Sequence, residues 1–205
     1  MSNNYVIAIS RQYGSGGHEI GRKLAKKLGI KFFDKGLLAE IAKNSGMSQN
    51  LVEYYDEMPT RSLLFSLAMD AYPMSFAEVP LNQKVYQAQV ETIKNIAEEE
   101  SCIIIGRCAD SILSDNPNLI SVFIHADMDT KIERVIERDG LTRDKAREKI
   151  LKTDRKRASF YNFYAIDKKW GEANSHDLTI NSGKIGIDET VVMLYNYVKL
   201  RGLLK

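Results

Sequence analysis

A short stretch near the start of the chain, residues 10–19, constrains the fold more than any other. An apolar, β-branched run precedes it, and a segment with the periodicity of a helix follows it. We therefore predict a buried parallel strand at residues 5–10 and a helix at 18–28. Three glycines in the turn would let backbone N–H groups point into one concavity at the positive end of the helix dipole. This order of strand, glycine-rich turn and helix predicts a phosphate-binding site.

The turn is similar to a nucleotide-binding P-loop, G-x-x-x-x-G-K-[ST], but it matches only part of that pattern. When the second glycine of the pattern falls on Gly16, Arg11 takes the place of the first. Gly17 then stands for the phosphate-bridging lysine and His18 for the magnesium-binding hydroxyl. The backbone cradle is kept, so we assign phosphate binding to Gly14, Ser15, Gly16, Gly17 and His18. A plain structural turn is the alternative, although such a turn rarely needs Gly-Ser-Gly-Gly.

The composition is that of an ordinary globular protein, and its charge is unevenly distributed. The 205 residues are 44% hydrophobic and 27% charged, and the net charge of +2 argues against general nucleic-acid binding. Residues 131–157 contain 11 Lys and Arg against six Asp and Glu, which favours one specific anionic ligand. Two cysteines are too few for a disulfide framework, and neither a signal peptide nor a membrane-spanning run is visible. We expect one cytoplasmic domain covering residues 1–205.

Side chains at the ends of predicted strands are candidates for ligand contacts. Further strands are predicted at residues 30–34, 101–107, 119–124 and 177–182. They alternate with helices, which favours an α/β fold with a parallel sheet, and ligands of such sheets gather at the carboxyl ends of strands. Asp34 and Arg107 stand at such ends, but Asp34 could instead cap the next helix, and Arg107 could be a surface residue paired with an acid. Asp110 could pair with Arg107 or face the site.

Residues 35–100, between the second and third strands, are predicted to be mostly helical. One helix is expected from Thr60 to about Ala71, and a long helix from Pro80 to Glu100. The stretch from Met58 to Pro80 is rich in Met, Phe and Tyr. It is either a packed satellite cluster or a mobile substrate-binding sub-domain with an adaptable apolar surface.

Two basic helices are predicted at residues 128–139 and 142–164. On the first, Lys131, Arg134 and Arg138 are spaced by three and four and share a face. On the second, the helical repeat places Asp154, Arg157 and Tyr161 together. Charge alone leaves two interpretations open, a solvated helix face or a two-helix flap that closes over phosphates.

Together these motifs resemble those of the cytidylate kinase-like family, a branch of the P-loop nucleoside monophosphate kinases, over nearly the whole chain. The resemblance rests on residues 9–21, Phe33-Asp34-Lys35, Ile105 to Asp110, Asp154 to Arg157 with Tyr161, and 177–181. It implies a three-layer sandwich in which helices flank a central parallel five-stranded sheet. It also implies a helical insertion at 35–100 that binds the acceptor monophosphate, and a basic lid at 128–170.

The function that the resemblance implies is transfer of the γ-phosphate of ATP to an acceptor of the CMP or dCMP type. The acceptor would be held by Asp34, Arg107 and Asp110. The missing lysine would be replaced by Arg11, Arg134 or Arg138, and the acceptor side and closed lid would be organised by Asp154 and Arg157. Mg²⁺ is expected to arrive with ATP, held mostly by phosphate and water, because the sequence offers no clear protein ligand.

Two other classes of function stay open at this point. A non-catalytic or regulatory nucleotide-binding protein would keep the cradle and flap without transferring phosphate, and the absent lysine is its main support. A nucleic-acid-binding protein would use the basic helices and would show strongly salt-dependent affinity. The aromatic helical insertion could also support a homodimer.

Overall fold

The computed structural model of the protein describes residues 4–57 and 79–204. Within them, five strands form one sheet: β1 (Val6–Arg11), β2 (Lys31–Phe33), β3 (Cys102–Ile105), β4 (Leu119–His125) and β5 (Leu178–Asn181). The strand order is β2-β3-β1-β4-β5, and every neighbouring pair is parallel. The predicted α/β fold with a central parallel five-stranded sheet is confirmed.

Helices connect the strands on both sides of the sheet. In the described part of the chain they are α1 (Gly17–Leu28), α2 (Lys35–Ser45), α3 (Gln49–Tyr55), α4 (Leu81–Glu99), α5 (Ala109–Ile112), α6 (Met128–Asp139), α7 (Arg143–Tyr164), α8 (Ser182–Ile185) and α9 (Ile187–Leu200). The helix predicted from Thr60 to Ala71 lies outside the described residues, as does most of the Met- and aromatic-rich stretch. The short helix α8 follows β5 directly, and the Asn181 side chain caps it by accepting a hydrogen bond from the Gly183 amide.

Alternation along the central strand explains the three layers. Val6 and Ala8 face one side of the sheet, where they pack with Leu37 of α2 and Ile93 of α4. The neighbours Ile7 and Ile9 belong to the opposite core, with residues of α1 and α9: Ile20, Leu24, Val191, Leu194 and Val198. Both faces of the sheet are thus covered by helices, as a parallel sheet requires.

A capping hydrogen bond from the N-cap side chain is present at some helix starts and absent at others. Ser48 caps α3, because its side chain accepts a hydrogen bond from the Leu51 amide. Asp34, Asp127 and Thr142 occupy N-cap positions, but their side chains make no capping hydrogen bond. Asp127 instead accepts a hydrogen bond from Asn181 and pairs with Lys184. Asp34 thus occupies the N-cap position of α2, but no side-chain hydrogen bond supports the alternative that it caps the helix.

Because all five strands are parallel, their carboxyl ends lie at the same edge of the sheet. The order of the strands reverses around β1, so the loops after β1 and β3 diverge to opposite faces and leave a crevice at their carboxyl ends. Arg11 ends β1, and Arg107 follows β3 after a single glycine. No helix within residues 4–57 and 79–204 is both long and apolar enough to cross a membrane.

Candidate active site

A cleft of about 1090 Å³ opens at this edge of the sheet. The turn after β1 forms one wall, and the ends of β2 and α3 form another. Basic side chains of α6 and α7 complete the lining. The residues predicted for the site that line the cleft are Arg11, Gly14, Gly16, Gly17, His18, Asp34, Arg107, Arg134, Arg138 and Arg157. Ser15, Asp110 and Asp154 do not line the cleft.

The glycine-rich turn leaves several of its backbone N–H groups without an acceptor in the described part of the chain. Arg134 Nη1 donates a hydrogen bond to the Ser15 carbonyl over 3.0 Å, and the Ser182 hydroxyl donates to the same oxygen. Because C=O and N–H point in opposite directions in a trans peptide, the Gly16 amide faces away from these donors. Among the described residues, none accepts a hydrogen bond from the amides of Gly14, Gly16 or Gly17. These amides therefore stay available to an anion at the positive end of α1.

A buried ion pair supports the turn from behind. Asp154 of α7 accepts a hydrogen bond from the Tyr13 amide over 2.6 Å, and its other oxygen lies 3.3 Å from Lys131 Nζ. The Lys131 side chain is only 5% exposed, and its ammonium also donates to Gln12 Oε1 over 3.0 Å. Burial raises the pKa of Asp154 despite these partners. Asp154 thus contacts the turn after β1, and its predicted role in organising the acceptor side and the closed lid stays a prediction.

The three arginines predicted to replace the missing lysine all reach the cleft, and each already has a partner. Arg11 Nη1 lies 3.1 Å from Glu57 Oε1, and Arg134 binds the Ser15 carbonyl. Arg138 pairs with Asp139 over 2.7 Å and stacks on the Tyr13 ring, 4.8 Å from its centroid. Position 17 itself has no space for a lysine, because a Cβ there would lie 2.6 Å from Arg11 Cβ.

On the opposite wall, Arg107 and Asp34 form an ion pair. Arg107 Nη1 donates to Asp34 Oδ1 over 3.1 Å and to the Ile105 carbonyl over 2.8 Å, and its side chain is 3% exposed. The second Asp34 oxygen lies 3.1 Å from His18 Nε2. Burial acts to raise the pKa of Asp34, but the hydrogen bonds from His18 and Arg107 hold it well below its usual range. The structure therefore brings Asp34 and Arg107 together in the cleft, and Asp34 also contacts His18 at the start of α1.

Asp110, the third predicted acceptor residue, is in a different environment. It is 2% exposed and accepts a hydrogen bond from the Tyr161 hydroxyl over 2.6 Å. His176 Nδ1 and Lys168 Nζ lie 3.6 and 3.7 Å from the same oxygen. Asp110 therefore does not face the cleft, and its contact with Tyr161 anchors the end of α7 to the body of the protein.

Sequence reasoning missed two acids at the end of α3 that face these arginines. Asp56 binds Arg107 through both oxygens, at 3.2 Å from Nε and 3.0 Å from Nη2. Glu57 lies between Arg11 and Arg157, with 3.7 Å between its Oε2 and Arg157 Nε. The Asp-Glu dipeptide matches no local motif. Only the fold brings Asp56 next to Arg107, 51 positions away in sequence, and Glu57 next to Arg157, 100 positions away.

The described residues do not form a metal site. No group of three or more His, Cys, Asp or Glu side chains among them is placed to hold an ion. Asp34, the carboxylate beside His18, is occupied by His18 and Arg107. This donor set does not fit a protein-held Mg²⁺.

Comparisons with known proteins agree with this geometry. The model of the cytidylate kinase-like family matches residues 6–184. A cytidylate kinase from Pyrococcus horikoshii is 26% identical over 87% of this chain and 80% of its own length, and one from Archaeoglobus fulgidus is 24% identical over 95% of both. An uncharacterized protein from Eubacterium ventriosum has a solved structure that is 34% identical, with a TM-score of 0.73 over 96% of this chain and 99% of its own. A shikimate kinase from Bacteroides thetaiotaomicron, 18% identical, shares the fold with a TM-score of 0.54 over 95% of this chain and 98% of its own.

Proposed function

We propose that this chain, which belongs to the cytidylate kinase-like family, transfers the γ-phosphate of ATP to a pyrimidine nucleoside monophosphate of the CMP type. The observation that carries the proposal is that the amides of Gly14, Gly16 and Gly17 have no acceptor among the described residues, while these glycines line one cleft together with Arg107 and Arg157. One wall can hold the phosphates of a donor and the other the phosphate of an acceptor. The curated relatives named cytidylate kinase support CMP as the acceptor.

The reaction needs alignment and charge neutralisation more than acid–base chemistry. An oxygen of the acceptor phosphate attacks the γ-phosphorus, the bond from that phosphorus to the β–γ bridging oxygen breaks, and ADP leaves. The acceptor oxygen is already ionised at neutral pH, so the step needs no general base. In this proposal the turn at 14–18 holds the donor, while Arg107 and Arg157 hold the acceptor and the transferred group.

Larger parts of the chain take their roles from the same proposal. Residues 35–100 form the acceptor-binding insertion, and residues 128–170 form the lid. Contacts between α7 and the phosphate turn support the second role, since Arg157 Nη1 donates to the Arg11 carbonyl over 3.2 Å. Mg²⁺ would enter bound to the nucleotide, and a cytoplasmic location and a homodimer stay predictions.

The proposal is tested by measuring ADP release with ATP and, in turn, CMP, dCMP and UMP. We expect turnover with at least one of these acceptors. Arg107→Ala and Arg157→Ala should each lower kcat/KM by about 10³-fold, as loss of a charge-neutralising arginine does in phosphoryl transfer. Arg147→Ala is the matched control, because Arg147 is exposed on the same helix as Arg157. Undiminished turnover in the first two variants would remove those residues from the mechanism.

A nucleotide-binding protein without catalysis is the second candidate. It is favoured by one observation, the steric exclusion of any lysine from position 17. Calorimetry with ATP and CMP separates the two functions when combined with the ADP-release assay. Tight binding of both nucleotides without ADP release would establish the second function and exclude the first.

A further inference from the structure

Arg107 and Arg157, the arginines that we assign to the acceptor, already lie beside carboxylates of the protein itself. Arg107 binds Asp56 through two hydrogen bonds, in the fork geometry that arginine also uses for phosphate. Glu57 lies between Arg11 and Arg157 in the same cleft. An acceptor phosphate that binds Arg107 in this geometry would compete for the N–H groups that Asp56 now occupies.

The position of the two acids is built into the fold. Glu57 has a φ of 51°, a left-handed conformation that is uncommon for residues other than glycine. Its ion pair with Arg11 lies directly over Gly106, where any Cβ would overlap Arg11 Nη1 and lie 2.9 Å from Glu57 Oε1. Lys156 of α7 donates to the Asp56 carbonyl over 3.0 Å. The basic helix α7, the turn after β3 and the end of α3 therefore meet at this dipeptide.

Two further observations indicate that the arrangement is incomplete without a ligand. Arg157 Nε is buried and finds no hydrogen-bond acceptor in residues 4–57 and 79–204, although it lies 3.7 Å from Glu57. A buried donor of this kind is costly unless something accepts its hydrogen bond. Burial also raises the pKa of Asp56, even though Arg107 opposes that shift, so the pair with Arg107 does not fully offset the cost of burying this carboxylate.

We propose that Asp56 and Glu57 occupy the place of the acceptor phosphate and are displaced from Arg107 and Arg157 when it binds. The pair thereby sets how tightly the site binds a phosphate, since the ligand must replace two carboxylates rather than enter a bare cationic pocket. This inference rests on the proposed function, because it identifies the ligand of that wall as the acceptor phosphate.

The test is calorimetry on the full chain without ATP, with CMP, inorganic phosphate and cytidine as probes. The variants are Asp56→Asn, Glu57→Gln and the double variant, which keep shape and remove charge. Because the double variant no longer has negative charges facing the bound anion, its affinity for CMP and for inorganic phosphate should be at least about tenfold higher than that of the wild type. Cytidine has no phosphate, so its affinity should not change. In steady state the KM for CMP should fall while the KM for ATP stays constant.

Glu53→Gln is the matched control, because Glu53 lines the same cleft on α3 and bonds to Gln49 rather than to an arginine. If Glu53→Gln tightens CMP as much as the double variant does, a general field effect explains the result and the inference fails. Equal or weaker CMP binding by a folded double variant, checked by thermal unfolding, also overturns it. Failure of wild-type turnover with every acceptor would instead overturn the proposed function, while tighter inorganic phosphate in the variants would still support displacement.

A crystal structure of the wild type with CMP tests the same inference if the variants do not fold. The expected result is a phosphate bonded to Arg107 and Arg157, with Asp56 moved off Arg107 Nη2. A phosphate bound elsewhere while the 3.0 Å contact between Asp56 and Arg107 persists would overturn it.

Discussion

The buried pair of Lys131 and Asp154 yields a quantitative prediction about stability. Their side chains are 5% and 13% exposed, and the charged atoms lie 3.3 Å apart beneath the phosphate turn. Asp154→Asn would leave the Lys131 ammonium buried with only the neutral Gln12 oxygen as a partner. Removing one partner of a buried ion pair costs about 3–5 kcal/mol, and the partial exposure of Asp154 favours about 3. For a chain of this size that is a fall in Tm of roughly 6–12 °C.

Removing Lys131 instead of Asp154 should cost less stability, because a carboxyl group can take up a proton more easily than an ammonium can lose one. In Lys131→Met, Asp154 keeps the hydrogen bond from the Tyr13 amide, and we expect a loss of about 2 kcal/mol at pH 7. Burial already raises the pKa of Asp154, so the folded state binds that proton more tightly than the unfolded state does. The stability of Lys131→Met, relative to the wild type, should therefore rise as the pH falls from 7 toward 5.

The assay is urea denaturation of the wild type, both single variants and the double variant Lys131→Met/Asp154→Asn. The double variant contains neither buried charge. Its loss of unfolding free energy should therefore be smaller than the sum of the losses in the two single variants, by at least about 2 kcal/mol. The reasoning is refuted if the losses are additive, or if Asp154→Asn stays within about 1 kcal/mol of the wild type.

Three further predictions concern single positions. Gly106→Ala should lower the free energy of unfolding, measured by urea denaturation, by about 1–2 kcal/mol, and it should also lower activity because the new Cβ displaces the Arg11–Glu57 pair. Gly29→Ala is the control: its φ is similar but the space around it is open, so this variant should lose stability and keep its activity. Glu57→Gln should lower the free energy of unfolding by about 3 kcal/mol at pH 7, because Arg11 and Arg157 outweigh burial and lower the pKa of Glu57 to about 2. The difference in stability between the variant and the wild type should vanish as the pH falls from about 4.5 to 2, since the wild-type carboxylate is then protonated. Tyr161→Phe should cost about 1–3 kcal/mol by leaving Asp110 without its shortest hydrogen bond, whereas exposed Tyr54→Phe should stay within about 0.5 kcal/mol, both by thermal unfolding.

The sequence predicted the fold well because its signals are local. The apolar strands, the glycine-rich turn and the periodic helices each follow from neighbouring residues, and the sheet forms as expected. The positions of Asp34 and Arg107 also followed from their places after strands. Asp110 follows the same strand, yet the short helix α5 turns it inward toward Tyr161, and no local pattern signals that rotation.

Contacts between distant segments were the part that the sequence could not supply. Lys131 was visible only as one member of a basic helix face, although its ammonium lies under the phosphate turn beside Asp154. Asp56 and Glu57 looked like ordinary acids at the end of a helix. Their importance depends on two arginines that lie far away in sequence, at positions 107 and 157, and only the tertiary fold brings these charges together.

The most direct test of the central claim is a crystal structure of the protein with ADP. The account predicts the β-phosphate within hydrogen-bond distance of the Gly14, Gly16 and Gly17 amides, with the Ser15 carbonyl still turned toward Arg134. A β-phosphate bound away from these amides, or amides of Gly14, Gly16 and Gly17 that bond to the protein's own side chains when ADP is present, would contradict it.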